Sequence, residues 1–554
     1  MPPSAPPSVS RNVALLSAGT LLSRVLGMAR ETLIAATFSI AATDAFFLAW
    51  RIPNALRALL AEGALSAAFV PVFSSVLERG ADGLAGPSKN SPAPPLSPEE
   101  RERLAEAHRD DLREAVARVR AASLAVLVPV TLLGMLLARP ILGLLAGDFH
   151  GSPATLELSV GLLRVLFPYL FFMGSAAVGI GVLQSLGRMK ALAFAPALLN
   201  VSFLLAPFLF IPLCKPLGID TVYGLAAGAL LGGALQLLAI VPDLRRERML
   251  PWPRFEPGHP AVRRVASLLG PTLFGTAIYQ IDVMVSSAFL ADSNHGLSFF
   301  NYAQRLADIP QGVFIVSITS SYLPELSRAA TRADHAAVSD LFGRMLRLAG
   351  FVAIPVAVIL ATYGEAIVPL VFGYGRFREL GHGAVMEVVH SLRWQATNVA
   401  LAAFVRQYVA VCNASQNTRT PVLVSALDLV AFILLAYWLR EPMGHPGVAA
   451  ASSGSTLVQL ALLVVWSRHT VTVPWRAVLP NLARVVLASA IVGICARIMV
   501  GYWDFTRPTL TARTFAIAGG TALGTVYLLA AWLLQIEEVT ALREKVLRRL
   551  RRRR

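Results

Sequence analysis

Long apolar runs, separated by short stretches of glycine, proline and charged residues, extend along almost the whole chain. Runs such as Ala121–Leu137 and Tyr223–Val241 approach or reach the ~20 residues with which a helix crosses a bilayer core. The pattern predicts about 14 membrane-spanning helices. We place them near residues 11–39, 44–78, 112–138, 156–187, 190–212, 219–243, 260–292, 297–328, 339–362, 382–414, 419–440, 446–468, 478–500 and 510–536.

The composition agrees with this pattern. Of the 554 residues, 55% are hydrophobic and only 15% are charged, whereas soluble proteins contain about 45–50% and 25%. A soluble core could not bury so much apolar surface, so we predict an all-α polytopic membrane protein. Cys214, Cys412 and Cys495 show neither CxxC spacing nor an extracellular pairing pattern, which disfavours a zinc site or a disulfide framework.

The net charge of +16 would suggest a nucleic-acid partner in a soluble protein. Here much of the excess lies in the gaps between spans and in the tail Arg548–Arg554. Cytoplasmic loops of membrane proteins collect lysine and arginine. We therefore predict that both termini are cytoplasmic and that there is no nucleic-acid partner. The gaps on the opposite side hold about seven basic residues, namely Arg139, Lys215, Arg376, Arg378, Arg440, Arg507 and Arg513.

A sparse internal repeat suggests two lobes. Phe46-Phe47 and Arg51-Ile52 recur about 254 residues later as Phe299-Phe300 and Arg305-Leu306. Parallel repeats of this kind build two-lobed transporters with a site between the lobes. We predict two pseudo-symmetric six-helix lobes followed by two further helices. The segments are a disordered N-terminus 1–10, an N-lobe 11–243 with a cytoplasmic loop 79–111, a cytoplasmic linker 244–259, a C-lobe 260–468, helices 13 and 14 at 478–536, which we expect to flank a groove for a lipid tail, and a basic cytoplasmic tail 537–554.

Charged residues inside the predicted spans are the candidate functional groups. Each costs about 2.5–3.5 kcal/mol at the bilayer centre, so it must face a cavity or pair with an opposite charge. The first, second and eighth spans carry such a set: Arg24, Arg30, Arg51, Arg57, Arg305, Glu31, Asp44, Glu62 and Asp308.

The spacing of these arginines favours a cavity over a purely structural salt-bridge network. Arg24 and Arg30 are six residues apart, with Gly27 between them to permit a bend. Arg51 and Arg57 have the same spacing, with Pro53 interrupting the helix. Guanidinium groups are suited to bidentate binding of phosphate. The sequence therefore predicts a multivalent anionic ligand, and a pyrophosphate fits best.

A series of short motifs accompanies these residues in a fixed order. They are Ser23-Arg24-Val25-Leu26-Gly27, Ala42-Thr43-Asp44-Ala45-Phe46-Phe47, Arg51-Ile52-Pro53-Asn54, Ala61-Glu62-Gly63-Ala64, Ala68-Phe69-Val70-Pro71, Ala195-Pro196-Ala197-Leu198-Leu199-Asn200, Tyr302-Ala303-Gln304-Arg305-Leu306, Tyr374-Gly375-Arg376-Phe377 and Thr418-Arg419-Thr420-Pro421. In these motifs the chain resembles the MurJ (MviN) family of lipid II flippases, in the multidrug/oligosaccharidyl-lipid/polysaccharide exporter superfamily. The resemblance covers about residues 11–536.

The resemblance implies a fold of fourteen helices that works by alternating access in the bacterial inner membrane. It implies that Arg24, Arg30, Arg57 and Arg305 line a cationic cavity for the head group of lipid II, an undecaprenyl-pyrophosphate-linked disaccharide-peptide, for cell-wall synthesis. Asp44 matches a functionally sensitive acidic position. We expect Arg51, Glu62 and Asp308 to contribute to the same substrate-binding set, with no catalytic residue, no organic cofactor and a monomeric protein.

Two positions depart from the pattern of some family members. Gln304 replaces an aspartate that precedes the arginine of the eighth span, which leaves Arg305 with one carboxylate fewer beside it. Ala58 replaces a second basic residue after the position of Arg57. Neither change removes an arginine of the predicted cavity.

Other functions are weighed on the same residues. An exporter of another polyprenyl-linked glycan would suit a basic cavity, whereas a drug-cation exporter would need an acidic, aromatic one. A polytopic glycan-lipid transferase would need catalytic carboxylates or histidines on a large extracytoplasmic loop. Asp148, His150, Asp292 and His295 lie in short gaps and are interpreted as ordinary loop residues. A membrane scaffold would not need arginines inside its spans.

Energy coupling is left open between an ion gradient, the membrane potential and consumption of the product. No GxxxxGK[ST] motif is present, which disfavours ATP hydrolysis. Asp282 in span seven and Asp428 in span eleven are surrounded by apolar residues, and Ser452, Ser453, Ser455 and Thr456 lie in span twelve. These groups are a candidate site for a coupling cation or proton. The alternative is that the two carboxylates pair separately with Arg406 or with neutral donors.

Overall fold

The computed structural model describes residues 9–59, 65–84, 98–146, 153–188, 190–291, 295–468, 470–505 and 509–540. Helices account for most of these residues. In chain order they are α1 Val9–Thr37, α2 Ile40–Arg57, α3 Leu65–Leu84, α4 Pro98–Leu136, α5 Ala138–Ala146, α6 Pro153–Leu166, α7 Pro168–Ser185, α8 Lys190–Cys214, α9 Tyr223–Arg246, α10 Pro260–Ala291, α11 Gly296–Pro310, α12 Val316–Thr331, α13 His335–Thr362, α14 Gly364–Phe372, α15 Gly375–Glu379, α16 Gly381–Ala414, α17 Arg419–Met443, α18 His445–Ser467, α19 Trp475–Tyr502 and α20 Leu510–Leu533.

The predicted all-α membrane fold is confirmed. Each predicted span coincides with one helix or with consecutive helices, as where α11, a short π-helix Gln311–Ile315 and α12 together form the eighth. Within the described ranges, nine helical segments are long and apolar enough to cross a membrane. The total of fourteen crossings stays a prediction. The short helices α5, α14 and α15 were not predicted, because hydropathy alone does not separate them from loops.

The chain divides into two compact units. Unit 1 comprises the residues up to Arg30 together with Ala45–Met284, and unit 2 comprises Glu31–Asp44 together with Val285 onward. The end of α1 and the start of α2 therefore belong with the helices of the C-terminal half. The assignment of Glu31–Asp44 to unit 2 cannot be predicted from hydropathy, because hydropathy treats each span as one element.

In unit 1, helices α3, α4, α7 and α9 surround an apolar core that includes Phe69, Phe73, Val116 and Val182. Helices α8 and α9 pack closely through small residues. A Cβ added at Gly228 would lie 2.5 Å from the Cβ of Ala206. The glycine-rich run of α9 thus permits close helix contact, as such runs do in membranes, and does not form a nucleotide-binding loop.

The predicted linker lies against α4 within unit 1. The Arg254 amide donates to the Ala117 carbonyl at 3.3 Å, and Arg120 donates to the Pro251 carbonyl at 3.1 Å. Arg118 forms an ion pair with Glu256 at 2.5 Å. The same guanidinium lowers the pKa of the exposed Glu256 carboxyl below its usual value. The linker is therefore fixed to the surface of α4 by both backbone and side-chain contacts.

In unit 2, α13 packs against α16 and α19, and α16 also contacts α11 and α18. Helices α19 and α20 pack against each other and share a core with Tyr363, which lies at the junction of α13 and α14. Their other faces carry exposed apolar residues, such as Ile494 and Leu533. The last two helices are thus integral to unit 2 on one side and present a lipid-compatible surface on the other.

Candidate functional site

The predicted site residues are distributed over both units. Unit 1 contains Arg24 and Arg30 on α1, and Arg51 and Arg57 on α2. Unit 2 contains Asp44 at the start of α2, and Arg305 and Asp308 on α11. Glu62 lies outside the described residues.

Arg30 is held by residues of α8 within unit 1. Its Nη1 donates to the Asn200 Oδ1 at 3.0 Å, and its guanidinium lies 5.1 Å from the ring centroid of Phe203. Asn200 in turn donates through Nδ2 to the carbonyl of Ser23 at 2.9 Å. The amide therefore bridges two turns of α1 and fixes the orientation of the guanidinium. An amide carbonyl does this without changing the charge of the arginine.

Arg57 is positioned by its own helix. Its Nε and Nη2 donate to the Asn54 Oδ1 at 3.2 Å and 3.0 Å, one turn earlier in α2. Pro53 lies inside α2, which continues from Ile40 to Arg57, so the predicted interruption of the helix at this proline is wrong. Arg24 and Arg51 are half-buried, on α1 and α2 respectively. Unit 1 therefore carries four arginines on two consecutive helices.

Arg305 is joined to two carboxylates within unit 2. Its Nε donates to the Glu31 Oε1 at 3.1 Å, and its Nη1 lies 3.7 Å from the Asp308 Oδ2. Gln304 donates to the other oxygen of Asp308 at 2.8 Å. The glutamine thus orients Asp308 toward Arg305. Gln304 replaces an aspartate found in some family members, and Glu31 and Asp308 provide the carboxylate contacts of Arg305 in its place.

Asp44 caps the start of α11. Its Oδ1 accepts a hydrogen bond from the Ser298 backbone amide at 2.8 Å, and its Oδ2 lies 2.9 Å from the His295 Nδ1. Thr43 and Ser298 share a hydroxyl contact at 2.8 Å. The hydrogen bond to Asp44 raises the pKa of His295 above its usual value. This cluster attaches the start of α2 to the N-terminus of α11, where the helix dipole also favours a carboxylate.

Three residues of these contacts were not predicted as functional. Asn200 belongs to the motif Ala195–Asn200 and was assigned no role of its own, although an asparagine in an apolar run is itself a signal of a polar contact. Ser298 carries no sequence signal, because its backbone amide is the donor. His295 was interpreted as a loop residue, yet it faces Asp44 across a separation of 251 residues. Asp148, His150 and Asp292, interpreted in the same way, lie outside the described residues.

The two candidate coupling carboxylates occupy different units. Asp282 lies on α10 in unit 1, and Asp428 lies on α17 in unit 2. Asp428 lies near Ser455 of α18, whose hydroxyl donates to the Ser452 carbonyl at 3.2 Å, and the Asp428 Oδ1 is buried without a hydrogen-bond partner in the described part of the chain. Across the same residues, no group of three or more histidine, cysteine, aspartate or glutamate side chains could hold a metal ion. A cation here would need hydroxyl or backbone oxygens as well.

The helical architecture is that of a polytopic transporter. A solved structure described as lipid II flippase MurJ in an inward closed conformation matches with a TM-score of 0.73 at 20% identity, covering 95% of this chain and 100% of that one. An inward-facing multidrug resistance transporter of the MATE family, in the MOP superfamily, matches with a TM-score of 0.63 at 16% identity, covering 81% and 94%. At these identities the likeness concerns the fold.

Sequence comparison identifies the family. The family model described as lipid II flippase MurJ matches residues 34–512. A lipid II flippase MurJ from Burkholderia cenocepacia is 31% identical over 462 residues, which are 82% of this chain and 83% of that protein. A probable lipid II flippase MurJ from Vibrio cholerae is 30% identical over 459 residues, 81% of each. The chain belongs to the MurJ family of lipid II flippases, which are transporters and not enzymes.

Proposed function

We propose that this protein moves lipid II from the cytoplasmic to the outer leaflet of the bacterial inner membrane for peptidoglycan synthesis. The observation that carries this proposal is the set of arginines on α1, α2 and α11, of which Arg30, Arg57 and Arg305 are each held by a side-chain contact. Guanidinium groups bind diphosphates through paired N–H donors. The substrate is thereby a lipid-linked diphosphate.

Within this function, Arg24, Arg30, Arg57 and Arg305 bind the diphosphate and adjoining sugars, and Arg51 contributes from the edge of this set on α2. Asn200 and Asn54 keep two of the guanidiniums oriented before the substrate arrives. Such pre-organisation reduces the ordering cost of binding. Glu31 and Asp308 balance Arg305 while the site has no anion bound.

The polyprenyl tail needs an apolar path while its head group crosses the membrane. The outward faces of α19 and α20 carry exposed leucines, isoleucines and aromatic residues. We assign the tail to this surface. A photoreactive polyprenyl probe should label α19 or α20, and labelling confined to unit 1 would contradict the assignment.

Coupling to a cation or proton is proposed at Asp428 in unit 2 and, separately, at Asp282 in unit 1. The buried Oδ1 of Asp428 and the neighbouring Ser455 hydroxyl are the oxygen donors that a hard cation or a proton would use. Asp428→Asn should change the dependence of transport on sodium or pH and leave lipid II binding intact. An unchanged dependence would assign Asp428 to helix packing with Ser455.

The orientation and oligomeric state complete the proposal. The distribution of lysine and arginine places both termini in the cytoplasm, and one chain provides the whole set of arginines, so a monomer suffices. Cysteine labelling of the two termini from either side of the membrane would test the orientation.

The central test is reconstitution of the full-length chain into vesicles that contain labelled lipid II. Head groups should become accessible on the opposite face with the native protein, and Arg24→Ala or Arg305→Ala should abolish this. Arg139→Ala is the matched control, because Arg139 forms an exposed ion pair with Glu157 away from the site. Movement of another polyprenyl-linked glycan in preference to lipid II would assign the chain to that substrate instead.

A further inference from the structure

A small cavity in unit 2 is lined by none of the predicted substrate-binding residues. It has a volume of about 40 Å³ and is lined by α14, α15, the starts of α16 and α20, and the chain before α20. A buried water requires about 10–15 Å³ on this measure, so the cavity has room for a group the size of a phosphate. Its apolar lining includes Phe377, Leu370 and Phe505.

Two arginines, Arg378 and Arg513, also line the cavity, and none of its described lining residues is acidic. Arg513 is held in place, since it donates to the Gly373 carbonyl at 3.2 Å and lies 4.1 Å from the ring centroid of Tyr374. Arg378 is exposed and makes no ion pair with the described residues. The cavity therefore contains the fixed guanidinium of Arg513, the exposed guanidinium of Arg378, and an apolar lining.

The nearest carboxylate on α14 is already engaged. Glu365 forms ion pairs with Arg393 at 2.9 Å and with Arg497 at 3.0 Å. One acid thus faces two bases, so Glu365 is already engaged by Arg393 and Arg497. A zwitterionic head group would find no acidic partner for its cation in the cavity lining.

The location of these arginines is unusual for a membrane protein. In the orientation proposed above, this end of the helices faces away from the cytoplasm. Lysine and arginine are depleted on that side of a membrane protein. Arg376, Arg378 and Arg513 are nevertheless three of the basic residues on that side. Two of them, Arg378 and Arg513, line the same cavity, and this pairing of like charges favours an anion there.

Aromatic residues beside the cavity mark the depth of the lipid head groups. Tyr502 is 87% exposed, and Trp503 lies 4.5 Å from Phe515 between ring centroids. Tyrosine and tryptophan are enriched at the membrane–water interface. The cavity is therefore level with lipid phosphates, while the exposed apolar faces of α19 and α20 continue below it.

We propose that this cavity binds the head-group phosphate of an anionic phospholipid in the extracytoplasmic leaflet, with Arg378 and Arg513 as its ligands. The acyl chains lie along the outward face of α20, where Phe515 and Ile517 are exposed. A bound lipid would join α20 to α15 through one phosphate. This site is separate from the lipid II site and does not depend on transport activity.

The test uses the full-length chain in nanodiscs of phosphatidylcholine, with and without phosphatidylglycerol. Native mass spectrometry should show phosphatidylglycerol retained by the native protein, and Arg378→Gln should weaken retention about fivefold, as expected for one arginine near a lipid phosphate. Arg139→Gln should retain it as the native protein does. Arg378 is exposed, so this variant should fold, which thermal unfolding in phosphatidylcholine checks.

Three results would overturn the proposal. Equal retention by Arg378→Gln and Arg139→Gln would show that the cavity does not bind the lipid. Displacement by millimolar inorganic phosphate alone would reduce it to a general anion site. Preferential displacement by polyprenyl diphosphate would reassign it to the substrate lipid. Retention lost only in Arg378→Gln, and resistant to both competitors, supports it.

Discussion

The Nε of Arg305 on α11 donates a hydrogen bond to the Glu31 carboxylate of α1 at 3.1 Å, across 274 residues of sequence. The Glu31 side chain is only 2% exposed, whereas that of Arg305 is 43% exposed. A buried carboxylate thus depends on a guanidinium that still reaches solvent. The same arginine can balance Glu31 and bind an incoming anion.

Arg305→Ala should therefore have two separable effects. It leaves the buried Glu31 charge without this donor, which should cost about 1–3 kcal/mol in the free energy of unfolding. It also removes a substrate ligand. Adding Glu31→Gln should restore most of the unfolding midpoint but none of the lipid II transport. Recovery of transport in the double variant would show that Arg305 serves the fold alone.

Asn200→Ala should weaken lipid II binding about tenfold, because hydrogen bonds to charged groups contribute roughly 1.5–3 kcal/mol and Arg30 would lose its orientation. Binding of labelled lipid II to purified protein measures this. Ser202→Ala is the matched control on α8, since its buried hydroxyl donates to the Leu199 carbonyl of its own helix and to no other group in the described ranges. If both variants bind equally, Asn200 does not position Arg30 for the substrate.

The contact between Asp44 and His295 should depend on pH. The pKa of His295 is raised in the folded protein by its hydrogen bond to Asp44, so the protonated contact is fully present below the unfolded pKa near 6.5. It is lost as the pH rises through the raised folded value. The unfolding midpoint should fall over this range in the native protein and fall less in His295→Gln. Identical pH profiles would contradict a charged contact.

Gly375→Ala should destabilise unit 2 by more than about 2 kcal/mol, the upper cost of a left-handed residue alone. Gly375 has a φ of +47°, and an added Cβ would collide with the backbone carbonyl oxygen of Ala36 in α1. Gly218→Ala is the control, because Gly218 has a φ of +65° and open space around it. If both variants lose the same thermal stability, the backbone near Ala36 moves away from the added Cβ at little cost.

The sequence by itself determined the helices, since apolar runs of membrane-spanning length leave the backbone few alternatives to hydrogen-bonded helix. It also identified the charged residues worth explaining, because charges such as Arg24 and Arg305 are costly within a span. The family resemblance, confirmed by comparison, then connected these residues with a lipid diphosphate.

Only the tertiary structure decided which partners those charges have. Three side-chain pairs form hydrogen bonds over separations of 170 to 274 residues, namely Glu31 with Arg305, Asn200 with Arg30, and His295 with Asp44. No local periodicity encodes such pairs, because they depend on how helices pack and not on which residues form them. The assignment of Glu31–Asp44 to unit 2 likewise follows from packing alone. Side-chain orientation across helices is the physical quantity that the sequence pattern does not contain.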